Sequence, residues 1–257
     1  MLTQDQREKF DRMGFVHLKG AFSHEDARAM HDLLWRTLGE LYGARSDRHE
    51  TWDIPHVAGL QSIKSDPVFD PIGSATVIAA IDDLLGKGGW QMPAQWGQFL
   101  VTFPKPHEWN VPVGWHTDFD FTADAGVLSG VLAFSFLNDV QPRGGGTAVL
   151  TGSHRLMQRF IDRQPAKLRA KMKTVRKAFL DSNPWLTDLD TDEDRPGRVA
   201  RFMDGEHEID GIPVRVVELT GDAGDVIIGH PWLLHAAAPN CGDGPRFMRV
   251  QRIHKNA

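Results

Sequence analysis

The apolar positions follow two regimes, helical spacing in the first third of the chain and short strand-like runs from residue 96 onward. Residues 1–40 carry two helix start signals, Thr3-x-x-Gln6 and Ser23-x-x-Asp26, on either side of the short run Phe15-Val16-His17-Leu18. After the second signal, Ala27, Met30, Leu33, Leu34 and Leu38 form one apolar stripe. Residues 44–75 are mixed and rich in turn formers. Residues 75–85 predict a further helix, stopped by Gly86-Lys87-Gly88-Gly89. Strand candidates follow at 96–103, 126–137, 147–151, 214–219, 225–228 and 247–253. Between the third and fourth, residues 166–180 place Leu168, Met172, Val175 and Phe179 on one helical stripe. Helices first, then strands with one helical insertion, predict an α+β, mainly β chain with a double-sheet or barrel core rather than alternating βαβ units.

Composition narrows the setting. A chain of 257 residues, 41% hydrophobic and 25% charged, buries a sizeable core, and we expect one domain over residues 1–257 with a helical insertion at about 155–211. The insertion interrupts the strands and is expected to cover the mouth of the core. With 29 Lys and Arg against 34 Asp and Glu, the net charge of −5 gives no global case for nucleic acid or an anionic membrane as partner. The start, Met1 to Gln6, lacks a basic segment followed by an apolar one, and no apolar run approaches ~18 residues. A cytoplasmic protein is expected. One cysteine, Cys241, excludes an internal disulfide framework and suits a reducing compartment. The basic positions Lys167, Arg169, Lys171, Lys173, Arg176 and Lys177 are read as a solvated face. Asp181, Asp188, Asp190, Asp192, Glu193 and Asp194 follow them and offset the charge.

The candidate chemistry lies in four residues: His116 and Asp118 in Gly114-Trp115-His116-Thr117-Asp118, His235, and Arg246 eleven positions later. Two imidazoles and one carboxylate hold a non-haem Fe(II) on one face and leave other positions open for a chelating co-substrate and O₂. The spacing by itself is weak, since His24-Glu25-Asp26 repeats it. Local structure separates the copies. Residues i and i+2 share a face on a strand but lie about 200° apart on a helix, and His24 opens a helix. His116 and Asp118 instead follow the strand candidate at 96–103, where two side chains can converge on one ion; an ordinary polar loop pair is the alternative reading.

Further motifs in order along the chain carry a resemblance. Leu2-Thr3-Gln4-Asp5-Gln6, then Gly14-Phe15-Val16-His17-Leu18 and Phe22-Ser23-His24-Glu25, precede Trp115-His116-Thr117-Asp118. After these come Gly144-Gly145-Gly146-Thr147-Ala148-Val149-Leu150-Thr151-Gly152-Ser153-His154, Gly224-Asp225, His235 to Asn240 and Gly244-Pro245-Arg246. The chain resembles the phytanoyl-CoA dioxygenase-like family of Fe(II)/2-oxoglutarate-dependent oxygenases, with Thr151 where a proline is usual. The resemblance implies a double-stranded β-helix, a jelly-roll or cupin-like core with N-terminal helices, and Fe(II), 2-oxoglutarate and O₂ as cofactors. It implies His116, Asp118 and His235 as the metal and catalytic set. Arg246 would bind the distal carboxylate of 2-oxoglutarate, because a guanidinium fork takes a carboxylate bidentately. Arg249 and Arg252 compete for that role, since a one-residue slip exchanges the strand faces. Gln98, Ser135 and Thr147 resemble positions that hydrogen-bond the co-substrate, though each reads equally as a sheet-face polar residue. At Ala237 some relatives carry serine. His154 and Ser153 are read as turn residues, and His230 and His107 as structural.

The expected activity is hydroxylation of an unactivated C–H of a small organic molecule, with release of succinate and CO₂. Desaturation and ring formation stay open. Asp118 fills the position that related halogenases leave for chloride, which disfavours halogenation. Two other readings of the same residues are a zinc-type hydrolase and a non-catalytic binding barrel. Trp90, Trp96, Trp109, Trp115 and Trp232 near the motifs suggest core or pocket wall.

Overall fold

The two start signals set the outer layer. In the computed structural model, which describes residues 1–122, 126–191 and 195–256, Thr3 caps α1 (Gln4–Met13) through a reciprocal capping box with Gln6. Gly14, at φ 87°, ends α1 and turns the chain into β1 (Phe15–Leu18). Ser23 caps α2 (His24–Tyr42), but the second box is only half formed. The Asp26 carboxylate, one methylene shorter than glutamate, takes the Ser23 hydroxyl at 2.6 Å instead of reaching back to the amide. Ala27, Met30, Leu34 and Leu38 are buried on one stripe of α2, and Leu33 packs at its margin. Three 3₁₀ turns, His49–Thr51, Leu60–Ile63 and Pro67–Gly73, occupy the mixed region and lead to α3 (Ala75–Leu85), which Gly86 stops.

The remaining chain contributes β2 (Gln98–Thr102), β3 (Gly130–Phe136) and β4 (Thr147–Leu150). The insertion follows with α4 (Ser153–Asp162), α5 (Ala166–Arg169), α6 (Met172–Leu180), α7 (Pro184–Leu189) and α8 (Arg198–Met203). It leads into β5 (His207–Ile209), β6 (Ile212–Val214), β7 (Val216–Glu218), β8 (Val226–Gly229), β9 (His235–Ala237) and β10 (Arg246–His254). All paired strands are antiparallel: a five-stranded sheet β1-β8-β3-β10-β2, a three-stranded sheet β7-β4-β9 and the hairpin β5-β6.

The larger sheet is covered on both faces. Along β3, Val131 and Ala133 pack with α2 and α3, while Leu132, Phe134 and Phe136 pack with residues of the smaller sheet. That double burial is why β3 reads as a continuous apolar run in the sequence. No helix among the described residues is long and apolar enough to cross a membrane.

Three expectations change here. The strand expected at 214–219 is two strands, with Arg215 between β6 and β7. The single helix expected at 166–180 is broken into α5 and α6, where Lys171 N bonds Leu168 O in a tighter i→i−3 turn. β5, the start of β6, and β9 gave no strand signal, because three residues are too few to establish a period of two. The solvated-face reading holds for Lys167, Lys171, Lys173 and Lys177, which are exposed, with Lys177 paired to Asp181 at 2.7 Å. Arg169 and Arg176 are half-buried. Asp192, Glu193 and Asp194 of the acidic stretch lie outside the described residues.

His154 and His230 pin α1 to the sheets. Their rings lie 4.7 Å apart, and His154 Nε2 donates to Asp11 O at 3.0 Å. Burial pulls His154 down to about 4 and His230 well below the ordinary histidine value, so both are neutral in the fold. Unfolded histidines protonate near pH 6.5, so below that pH the unfolded chain binds more protons than the folded one. Stability is therefore full above about pH 6.5 and falls as pH drops toward 4, by up to ~1.4 kcal/mol per pH unit for each ring. Urea midpoints between pH 7.5 and 4.5 check this, and His154→Gln should reduce the slope; a slope unchanged by that substitution would remove His154 from the account.

Candidate metal centre

His116 and His235 face one another across an isolated antiparallel bridge. Each amide donates to the other's carbonyl at 2.9 Å, and residues opposite one another in such a pair project from the same face. Their ring centroids are 4.3 Å apart. The expected strand around His116 is thus a single bridge at the free edge of β9, extending the smaller sheet by one position. Asp118 lies just past it in a bend. Trp232 Nε1 donates to Asp120 O at 2.8 Å, and the buried Phe121 ring packs near Trp232, which together fix the turn that carries Asp118. Asp118 Oδ2 comes within 3.6 Å of His235 Nε2.

The ligand atoms of His116, Asp118 and His235 all lie within 4.8 Å of one another. Donors bound at ~2.1 Å to one shared ion are at most about 4.2 Å apart, so a small inward shift closes the set. The tautomers suit this use. His116 Nδ1 bonds Gly114 O at 3.0 Å and His235 Nδ1 bonds Leu233 O at 2.9 Å. A carbonyl only accepts, so Nδ1 carries the proton and each Nε2 keeps its lone pair. Burial first, and the neighbouring His235 second, hold His116 below the ordinary histidine value. Burial opposes the charge on Asp118, but the close approach of the His235 ring and the neighbouring Arg252 and His116 outweigh it and hold the carboxyl below the usual carboxylate value. The site therefore offers two imidazoles oriented through Nδ1, with each Nε2 left for an ion, and one carboxylate, a donor set that suits a divalent metal.

Strand parity separates the three arginines. On β10, Met248 and Val250 pack into the core between the sheets, whereas Phe247 and Ile253 pack against the helices. Arg246 shares the inner face. Arg249 points the other way, between the rings of Phe69 and Phe99 at 4.2 and 4.5 Å, and donates to Lys64 O and Gly97 O. Arg252 has the inner parity but is exposed at the far end of the strand. Arg246 is fully buried and bonds Gly145 O through Nη1. Its Nε and the Oγ1 of Thr102, its direct cross-strand partner, are buried without a hydrogen-bond partner among the described residues. An incoming carboxylate would satisfy such groups. Burial lowers Arg246 to about 10 with Glu218 opposing, so it stays charged at neutral pH.

The other expected contacts divide. Thr147 is buried and pairs directly with Ala237, two residues from His235 on the same face. Ala237 is exposed although its strand neighbours are buried, which marks an open space beside His235. Gln98 shares the inner face of β2 with Leu100 and Thr102 but is exposed at the strand's start, bonded by Gln61 at 3.4 Å. Ser135 is not brought to the site: it alternates with Phe134, whose ring meets His235 at 5.9 Å, and lies opposite Arg249 on the helical side. Ser153 supports Leu234 N at 2.9 Å instead of merely closing a turn.

Glu218 carried no sequence signal. It is buried and accepts from Arg143 N at 2.6 Å and Gly146 N at 2.8 Å, close enough to Arg246 to be felt as charge. Burial pushes its carboxyl up despite those bonds. A cavity of about 1350 Å³ elsewhere on the surface is lined by Trp52, Phe103, His107 and Cys241 and by no residue of the triad. The convergent donors of the triad, and not this open surface cleft, mark the chemical site.

Comparison with known proteins agrees with this geometry. The profile of the family described as phytanoyl-CoA dioxygenase (PhyH) matches residues 10–248. Among solved structures, HygX from Streptomyces hygroscopicus, with nickel and 2-oxoglutarate bound, is 16% identical, with a TM-score of 0.54 over 100% of this chain and 88% of that one. The non-haem alpha-ketoglutarate-dependent carbocyclase SnoK from nogalamycin biosynthesis is 20% identical, with a TM-score of 0.52 over 99% and 84%. The epimerase SnoN, in complex with Fe³⁺, alpha-ketoglutarate and nogalamycin RO, is 19% identical, with a TM-score of 0.52 over 99% and 83%. At these identities the likeness is one of fold. No curated protein matches the chain significantly.

Proposed function

This chain belongs to the phytanoyl-CoA dioxygenase family, whose cofactors are Fe(II), 2-oxoglutarate and O₂, and from that premise we propose that it hydroxylates an unactivated C–H of a small organic molecule. The observation that carries the proposal is the convergence of His116, Asp118 and His235 at the edge of the smaller sheet, with the buried Arg246 on the inner face of the larger sheet. His116, Asp118 and His235 hold the iron through two Nε2 atoms and a carboxylate oxygen. Arg246, with Thr147 nearby, binds 2-oxoglutarate by its distal carboxylate; Gln98 is a candidate for the outer rim. The bound iron and co-substrate supply activation of O₂, so that R–H, O₂ and 2-oxoglutarate give R–OH, succinate and CO₂.

The chain's own contribution is positioning and exclusion of water. The bridge between His116 and His235 fixes their backbones opposite one another, and the apolar Phe134 ring packs against His235. The small methyl side chain of Ala237 leaves room beside His235. On this reading the core is a double-stranded β-helix within a single domain, and residues 155–211 are a covering insertion. The protein acts in the cytoplasm on a small molecule. Family membership favours redox chemistry over a zinc-type hydrolase, and the intact triad disfavours a non-catalytic barrel.

The relatives named above include an epimerase and a carbocyclase, so product mass is the discriminating measurement. Incubation with Fe(II), 2-oxoglutarate and a metabolite panel should yield a product heavier by one oxygen atom, labelled from ¹⁸O₂. Loss of two hydrogens, or an isomer of unchanged mass, would replace hydroxylation by ring closure, desaturation or epimerisation.

A further inference from the structure

The insertion sends a carboxylate to the back of the metal site. Asp190, the residue after α7, accepts from Gly114 N at 3.1 Å and from Trp115 N at 3.2 Å through one oxygen. The Trp115 amide and the Gly114 carbonyl are the two ends of one planar peptide. That carbonyl accepts from His116 Nδ1 at 3.0 Å. A single peptide group therefore stands between carboxylate and imidazole, hydrogen-bonded at both ends. Negative charge at its N–H end polarises the amide and makes its oxygen a stronger acceptor. A stronger acceptor at Nδ1 makes Nε2 more basic and restricts rotation of the ring.

We propose that Asp190 is a positioning residue for His116, acting through the Gly114–Trp115 peptide and tying the insertion to the metal site. Gly114 lies at φ 79°, the left-handed region that lets successive amides point at one anion. A Cβ there would meet open space, so the glycine serves the backbone angle and not a close approach. Arg198, buried, holds Asp190 at this distance: it donates to Asp188 O at 2.8 Å, to Leu189 O at 2.7 Å and to Val111 O at 3.5 Å. The neighbouring Asp188 is engaged by Arg195 and Arg201 instead. His235 supplies an internal comparison. Its Nδ1 bonds Leu233 O, and the N–H of that same peptide, on Leu234, donates to the neutral Ser153 hydroxyl. The two imidazoles thus share one arrangement, with a charge behind His116 and a hydroxyl behind His235.

The inference rests on His116 being a ligand, and the test separates the two claims. Calorimetric titration of the full chain with Ni(II) alone, with the thermal midpoint of each apo protein recorded, provides the readout. Asp190→Asn keeps an oxygen acceptor and removes only the charge. It should fold with an unchanged midpoint and bind Ni(II) about 10- to 100-fold more weakly. Asp190→Ser, which copies the hydroxyl behind His235, should do the same and serves if the asparagine variant fails to fold. Asp188→Asn should bind Ni(II) like the unaltered chain. An unaltered Ni(II) Kd in a folded Asp190 variant overturns the proposal, as does an equal loss in Asp188→Asn. If His116→Ala also keeps that Kd, the ligand assignment itself has failed.

Discussion

Turnover is expected to disappear in His116→Ala and in His235→Ala, with the fold retained. The bridge between the two positions is made by backbone amides and carbonyls, so alanine keeps the pairing and removes only an imidazole. Two remaining protein ligands hold a divalent ion poorly, and the open face for co-substrate and O₂ is lost with it. His235 is the more severe case because its ring also contacts Phe134 and Asp118, so alanine leaves a cavity inside the core. The measurement is iron content together with succinate formation, and circular dichroism verifies folding. Full activity with equal metal content in either variant would remove the assignment.

Arg246→Leu should raise the apparent KM for 2-oxoglutarate far more than that for the substrate. Loss of one partner of a buried, hydrogen-bonded charge pair costs ~2–5 kcal/mol, which is a change of well over tenfold in affinity. Removing the guanidinium also leaves Glu218 buried without its nearby positive charge. Some stability should therefore return in the double variant Arg246→Leu/Glu218→Gln, while co-substrate affinity stays low. Arg249→Leu is the comparison. Its guanidinium lies among Phe69, Phe99 and backbone carbonyls on the helical side, so stability should fall and the KM for 2-oxoglutarate should hold. The reverse pattern, a KM effect at Arg249 and none at Arg246, would place the co-substrate on the wrong face of β10.

The helical layer was legible in the chain because its signals are local. Thr3 with Gln6, Ser23 before Ala27, Met30, Leu34 and Leu38, and Gly86 after Leu85 each act within one or two turns; α1 and α2 begin, and α3 ends, at them. The long strands were legible as well: β3 is apolar along nearly its whole length, and β10 spaces Phe247, Met248, Val250 and Ile253 along a run long enough to declare itself. His116-x-Asp118 and His235 were found by residue chemistry and motif order.

Tertiary structure alone decided which of these groups meet. Arg246, Arg249 and Arg252 are chemically equal in sequence, and only the register of β10 against β2 and β3 sends the first inward and the second toward the helices. The same parity takes Ser135 away from the site and keeps Thr147 beside Ala237. Glu218 and Asp190 are ordinary acidic residues until folding brings one near Arg246 and the other to the amides of Gly114 and Trp115. A helix cap is a contact between near neighbours and is written in adjacent letters. The relation between Asp190 and His116 spans 74 positions and exists only after the insertion has packed against the loop.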